Sequence, residues 1–338
     1  MKYVFSGSPQ IKTTLSTRAI MTHVCIALLP SCVVGCVLFG WGALLTLAIA
    51  TLSAVAAEVV YRLCQKVPFK QIIAEFDMTS TVTGLLVGMN MYSDSKWYAV
   101  ALSSVFAIVV VKMIFGGTGK NVVNPAIVGR IFGFISFGAA FGGTLAGEEW
   151  KSIVSGGSCY SVADGVRVGA TPLQSLLGGS NNVQNTLTNL DMLLGTGVYG
   201  TIGEVCKLAL IAGGVYLCVM RVIDFRWPIV FVGVTGLVSV MLFGFDFSVF
   251  LPSILGGGLM LGAIFMATDY VTSPTTKLGN YIYFVSLGVL TAVLRKLVKG
   301  EVVSFAILLM NLVVPLIDAF MLRKPFGYVK PQKEARNG

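Results

Sequence analysis

Residues 20–39 read IMTHVCIALLPSCVVGCVLF. The stretch contains no Asp, Glu, Lys or Arg, and its apolar residues run on continuously instead of alternating. A helix rises about 1.5 Å per residue and the hydrocarbon layer of a bilayer is about 30 Å thick, so roughly 20 apolar residues make one helical crossing. A transmembrane β-strand would alternate with a period of two, and this stretch does not. It is too long for the apolar core of a signal peptide, and no small-residue cleavage site follows it, so it reads as a retained span.

Outward from this stretch the same pattern recurs. Apolar runs follow at about 43–61, 78–91, 97–114 and 124–143, and after a polar interval at about 202–220, 227–243, 249–268, 281–297 and 302–322. The run at 78–91 is short and rich in threonine, which predicts a broken or tilted span. The expectation is an all-α integral membrane protein of about ten transmembrane helices. It divides into an N-terminal membrane half over 1–143, a long exported central loop over 144–201, a C-terminal membrane half over 202–322, and a cytoplasmic tail over 323–338. Five spans per half predict two halves inverted with respect to each other.

Composition agrees. Of 338 residues, 55% are hydrophobic and 12% charged, whereas soluble domains run near a quarter charged. The net charge of +9 does not point to nucleic acid, because the basic residues punctuate the ends of apolar runs instead of clustering on a polar face. Read as topology signals, 17 Lys and Arg fall on the side of the two termini and 7 on the other, which places both termini in the cytoplasm of an inner (plasma) membrane protein bathed in lipid. One turn dissents: Arg295, Lys296 and Lys299 fall on the outer side. The central loop is net acidic through Glu148, Glu149, Asp164 and Asp191. Seven scattered cysteines and one histidine, His23, show no metal-ligand spacing and read as small buried hydrophobes and a boundary residue.

Three polar segments could carry chemistry. Asp164 to Leu173 contains Gly169-Ala170-Thr171-Pro172. It reads either as a glycine-rich turn with a proline opening a helix, or as an attachment site where small residues let a large group approach a hydroxyl. Gly116-Gly117-Thr118-Gly119-Lys120-Asn121 is not a Walker A loop, which needs glycine five positions before the Gly-Lys pair and Ser or Thr after it; those positions hold Ile114 and Asn121. It reads either as a loop entering the membrane, with Asn121 and Asn124 pairing with backbone groups, or as two amides placed to hydrogen-bond the edge of a heteroaromatic ring. Asp269, in Thr268-Asp269-Tyr270, is either a boundary charge partnered by Lys277 or a functional carboxylate. Glu58 and Asp318 read as solvated or paired boundary residues.

These motifs carry a resemblance. Gly169-Ala170-Thr171-Pro172-Leu173, the run Gly116 to Ala126 and Met266-Ala267-Thr268-Asp269-Tyr270-Val271-Thr272-Ser273-Pro274 together resemble the RnfD/NqrB membrane subunits of the Rnf and Na+-translocating NADH:quinone oxidoreductase complexes. The likeness spans essentially the whole chain and is nearer to the D subunit of Rnf. It implies FMN joined through its phosphate to the Thr171 hydroxyl by a flavin transferase, with Gly169 and Ala170 giving it room. It also implies a second, noncovalent flavin, riboflavin, near Gly117, Gly119, Asn121, Asn124 and Asp269. Val168 stands where the family usually carries Ser or Thr, and Asp164 lies one residue further upstream than in the family.

The activity implied is that of one subunit of an ion-translocating oxidoreductase complex. Such a complex exchanges electrons between reduced ferredoxin and NAD+ while moving Na+ or H+. The partners implied are other membrane and peripheral subunits of an Rnf-type complex, including a covalently flavinylated one. The chain has no dinucleotide fingerprint and no cysteine cluster for iron–sulfur ligation. The competing class is a cofactor-free solute transporter or channel with inverted halves, and a weaker one is a structural anchor for partner subunits.

Overall fold

The computed structural model describes residues 16–141, 189–195, 200–298 and 302–321. Every regular element among them is helical. In the first half these are α1 (Thr17–Phe39), α2 (Trp41–Cys64), the short α3 (Phe69–Ala74), α4 (Thr79–Met89), α5 (Trp97–Phe106) and α6 (Pro125–Phe137). The helix α7 (Asn189–Leu194) lies within the interval assigned to the central loop. The second half contains α8 (Lys207–Val219), α9 (Arg226–Leu242), α10 (Phe250–Leu255), α11 (Leu259–Leu261), α12 (Lys277–Val298) and α13 (Val303–Met321).

Local sequence explains most of the boundaries. Ser16 caps α1 by accepting a hydrogen bond from the Ala19 N–H, and Gly40, at φ 68°, ends it and lets α2 begin at once. Asn124 caps α6 through its side-chain oxygen and the Ala126 N–H, with Pro125 at the first helical position. Several buried hydroxyls inside the helices return to carbonyls four residues back, as Thr83, Thr235, Ser239 and Thr291 do, which pairs them without water.

Among the described residues four helices, α1, α2, α12 and α13, are long and apolar enough to cross a membrane, and a bent pair would make a fifth. That pair corrects the single run expected over 249–268. Phe247–Leu255 and Leu259–Met266 meet at 65°, at the Gly256-Gly257-Gly258 break, where Gly257 sits at φ 66°. The apolar helices α4, α6, α8 and α9, and α5 with its continuation to Met113, are shorter. The run expected over 124–143 is α-helical to Phe137, where Gly138 (φ 35°) breaks it, and goes on as a 3-10 turn, Gly138–Phe141.

The surface is apolar and the interior partly polar, the reverse of a water-soluble fold. Leu52 is 70% exposed and Val37 68%, while Glu58 is 1% exposed and Lys112 3%. The two halves meet through their first helices: α1 packs on α8. There Gly213 comes so close that a Cβ would lie 2.2 Å from the Ala27 carbonyl oxygen. Within the halves α2 packs on α4 and α5, and α9 on α12.

Burial also corrects the charge count used for topology. Lys112, Arg130, Lys207 and Arg295 are interior groups and not boundary charges. Arg295 in the dissenting turn donates to the Ser253 and Gly256 carbonyls at 2.7 and 3.0 Å, satisfying backbone freed at the bend between α10 and α11. Lys296 donates to the Leu242 carbonyl at 2.7 Å. Setting the four interior groups aside leaves 15 against 5, so the asymmetry survives.

Candidate functional site

α5 does not stop at Phe106 but continues as a π-helical turn, Ala107–Met113. The wider turn places Lys112 inside the protein. Its ammonium donates to Glu58 Oε2 at 2.9 Å and to the Thr79 hydroxyl. Arg62, one turn along α2, pairs with the other Glu58 oxygen at 2.7 Å. Glu58 is therefore paired but not solvated, which corrects one of the two readings of its sequence position. A second π turn, Gly262–Met266, stands in the equivalent place before the Asp269 segment. Two such turns, each leading into a polar motif, are the local signature expected of functional positions.

After the first π turn the chain reverses through Gly116, Gly117 and Gly119, at φ 108°, 91° and 85°, where a side chain would be strained. The Gly117 N–H closes the turn on the Lys112 carbonyl at 3.0 Å. Thr118 donates to Asp77 Oδ2 at 2.6 Å, and Asp77 Oδ1 accepts from the N–H and hydroxyl of Thr79. Burial pushes the Asp77 carboxyl up, but the hydrogen bonds from Thr118 and Thr79 and the Lys112 charge outweigh it and hold it below its ordinary value.

A cavity of about 100 Å³ opens between the two halves at this point. Gly119, Asn121, Asn124 and Asp269, which stand far apart in the sequence, all line it. Lys112 and Thr79 share the wall, and Val82, Phe265 and their neighbours make the rest apolar. Asn124 donates to the Met266 carbonyl at 3.1 Å while capping α6, so its amide ties the two halves together. Asn121 donates to the Val123 carbonyl at 3.1 Å, leaving its own carbonyl oxygen and a second N–H for a guest.

Asp269 accepts from the Val271 N–H at 3.2 Å and the Thr272 hydroxyl at 3.4 Å. No ion pair joins it to Lys277 among the described residues, so that expected partnership is corrected. The carboxylate is held by its own turn. Gly117 shapes the loop without lining the cavity. Thr171, Gly169 and Ala170 lie outside the described residues, as does most of the 144–201 segment.

Behind the cavity lies a second polar group, absent from the candidates that the sequence suggests. Arg130 donates to the side-chain Oδ1 of Asn90 at 3.0 Å and to the Ser304 hydroxyl at 2.9 Å, and sits 3.5 Å from Glu204. Charges inside apolar runs are the available signal for Lys112, Arg130 and Glu204. Two of them, Lys112 and Arg130, pass in sequence for topology markers. No group of residues suited to hold a metal ion occurs among the described residues. The cysteines among them are free thiols; Cys206 caps α8.

The NQR2, RnfD, RnfE family model matches residues 4–327. The D subunit of the Na+-translocating ferredoxin:NAD+ oxidoreductase complex of Acetobacterium woodii is 38% identical, covering 98% of this chain and 97% of that protein. The D subunit of the proton-translocating ferredoxin:NAD+ oxidoreductase complex of Clostridium ljungdahlii is 35% identical, with 96% of each chain covered. The D subunit of the ion-translocating oxidoreductase complex of Marinobacter nauticus is 31% identical over 98% of both. A match along nearly the whole length, in the family model and in each relative, makes this chain a member of the NQR2, RnfD, RnfE family.

Proposed function

We propose that this chain is the D-type membrane subunit of a complex that exchanges electrons between reduced ferredoxin and NAD+ and moves Na+ or H+ across the plasma membrane. Its own part is to hold flavins: FMN esterified on Thr171 and a noncovalent riboflavin in the cavity between the halves. On this reading the chain crosses the membrane about ten times, as two inverted halves with both termini cytoplasmic and the 144–201 segment outside. The partners are the other subunits, one of them covalently flavinylated, and a flavin transferase that matures the Thr171 site.

The observation that carries the cofactor reading is convergence. Gly119, Asn121 and Asn124 from the first half and Asp269 from the second face one cavity. That cavity offers donors in Lys112 and the Asn121 amide and acceptors in Asp269 and the Asn121 carbonyl, and at about 100 Å³ its apolar walls take one edge of a flat ring, with the rest needing the halves to part. An isoalloxazine ring needs both kinds of edge group and supplies one- and two-electron chemistry when bound.

The bent pair α10–α11 favours the second reading, a cofactor-free transporter, since discontinuous helices line transporter sites. Co-expression with a flavin transferase separates the two. The flavin reading expects a denatured band that fluoresces under ultraviolet light and is lost in Thr171→Ala. It also expects acid-extractable riboflavin that falls in Asn121→Leu while the fluorescent band stays. A dark band and a colourless extract from the unsubstituted chain would leave the transporter reading standing.

A further inference from the structure

A second hollow adjoins the cavity between the halves, with Ile223 lining both. It is a groove of about 630 Å³ between α8 and α9, closed below by Met260 and Ile264. This volume is in the range of small-ligand sites. Its walls are branched aliphatics such as Val215, Val219, Ile229 and Val232, with the Cys218 thiol the one polar atom type among the side chains lining it. Gly233 helps keep it open: a Cβ there would meet nothing within 4 Å. A hydrocarbon guest suits such a lining, and a polar one does not.

One end of the groove carries charge. The turn from α8 to α9 presents Arg221 and Arg226, both exposed, with Asp224 between them. The Arg226 guanidinium stands 6.0 Å from the centre of the Phe225 ring, and Phe225 lines the groove. Next to it Trp227 stacks on Phe284 at 5.7 Å and meets Tyr281 edge-on at 5.0 Å. Lys277, exposed one helical turn before Tyr281, adds a third cation at the same end. Trp and Tyr beside basic residues mark the headgroup level of a bilayer, so the groove begins at headgroup depth and runs into the hydrocarbon.

We propose that this groove is a binding site for an anionic phospholipid, with an acyl chain along the α8–α9 groove and the phosphate between Arg221 and Arg226. The charge excess selects the occupant. A neutral lipid would use the apolar wall alone, whereas an anionic headgroup also meets two guanidiniums suited to phosphate oxygens.

Native mass spectrometry tests this on the full chain and on the assembled complex, each incubated with dioleoyl phosphatidylglycerol or dioleoyl phosphatidylcholine. Phosphatidylglycerol is expected to be retained in preference, and Arg221→Gln and Arg226→Gln are each expected to lower its retention about fivefold while leaving phosphatidylcholine unchanged. Gly233→Leu, which projects a branched side chain from an open position into the groove, is expected to lower retention of both lipids with no loss of melting temperature. Equal retention of the two lipids would overturn the proposal, as would a preference that survives both arginine substitutions or retention unchanged in Gly233→Leu. Phosphatidylglycerol held by the free chain but absent from the complex would also overturn it, by assigning the groove to a helix of a neighbouring subunit.

Discussion

Arg130 of α6 and Glu204, just ahead of α8, form an ion pair across the junction of the two halves, with Nη2 3.5 Å from Oε1. Arg130 is also bonded to Asn90 in its own half and to Ser304 in the other, so one guanidinium links three segments that are far apart in sequence. Breaking a buried ion pair by removing one of its members costs about 3–5 kcal/mol. Arg130→Met is therefore expected to lower the melting temperature of the detergent-solubilised chain sharply. The double variant Arg130→Met/Glu204→Gln should recover part of the loss. A melting temperature insensitive to the single substitution would show that this pair does not hold the halves together.

The Glu58 cluster predicts an asymmetry between its members. Lys112→Met leaves Glu58 paired with Arg62, whereas Glu58→Gln takes the contacting carboxylate from the buried Lys112 ammonium and leaves it the Thr79 hydroxyl and the field of Asp77. Glu58→Gln should be the more destabilising, by about 3 kcal/mol or more in thermal or denaturant unfolding. Equal losses would mean that Arg62 does not compensate Glu58.

Two helical glycines are expected to respond in opposite directions. Gly213→Ala drives a methyl into the Ala27 carbonyl and pushes α8 away from α1, which should cost about 1–3 kcal/mol. Gly233→Ala meets open space, so only the gain in helix propensity remains, at most about 1 kcal/mol. Parallel melting curves of the two variants check the contrast.

Asp77 gives the glycine loop an acid limit. Its carboxyl titrates below the ordinary value, so its contribution to stability is complete above the unfolded value of about 3.9 and fades as pH falls through the folded one. The protection factors of residues 114–121, with the intrinsic pH dependence of amide exchange divided out, should fall on acidification below about pH 4. Asp77→Asn should show faster exchange already at neutral pH, with the acid-dependent step gone. Protection factors independent of pH in the unsubstituted chain would break the link between Asp77 and Thr118.

Much of this architecture is legible in the residues alone. Continuous apolar runs fix helices in lipid because backbone groups must pair within the segment. Ser16, Gly40, Asn124 and Pro125 mark where helices start and stop through local hydrogen bonding and backbone freedom alone. The loop Gly116–Asn121 and the turn at Asp269 stand out because glycines and a carboxylate are unusual beside apolar runs.

Local patterns could not tell a charge at a helix end from one inside the bundle. Lys112, Arg130 and Arg295 look alike in sequence to boundary cations, and only packing of the helices shows that each faces a buried partner. The run over 249–268 is apolar throughout, so composition could not place the 65° bend that Arg295 supports from another helix. Span placement and caps follow from neighbours in sequence, because each turn of helix sees only residues a few positions away. The meeting of Asn121 with Asp269, the pairing of Arg130 with Glu204 and the groove between α8 and α9 depend on how helices distant in sequence settle against one another. That is a property of the assembled bundle, which no segment carries by itself.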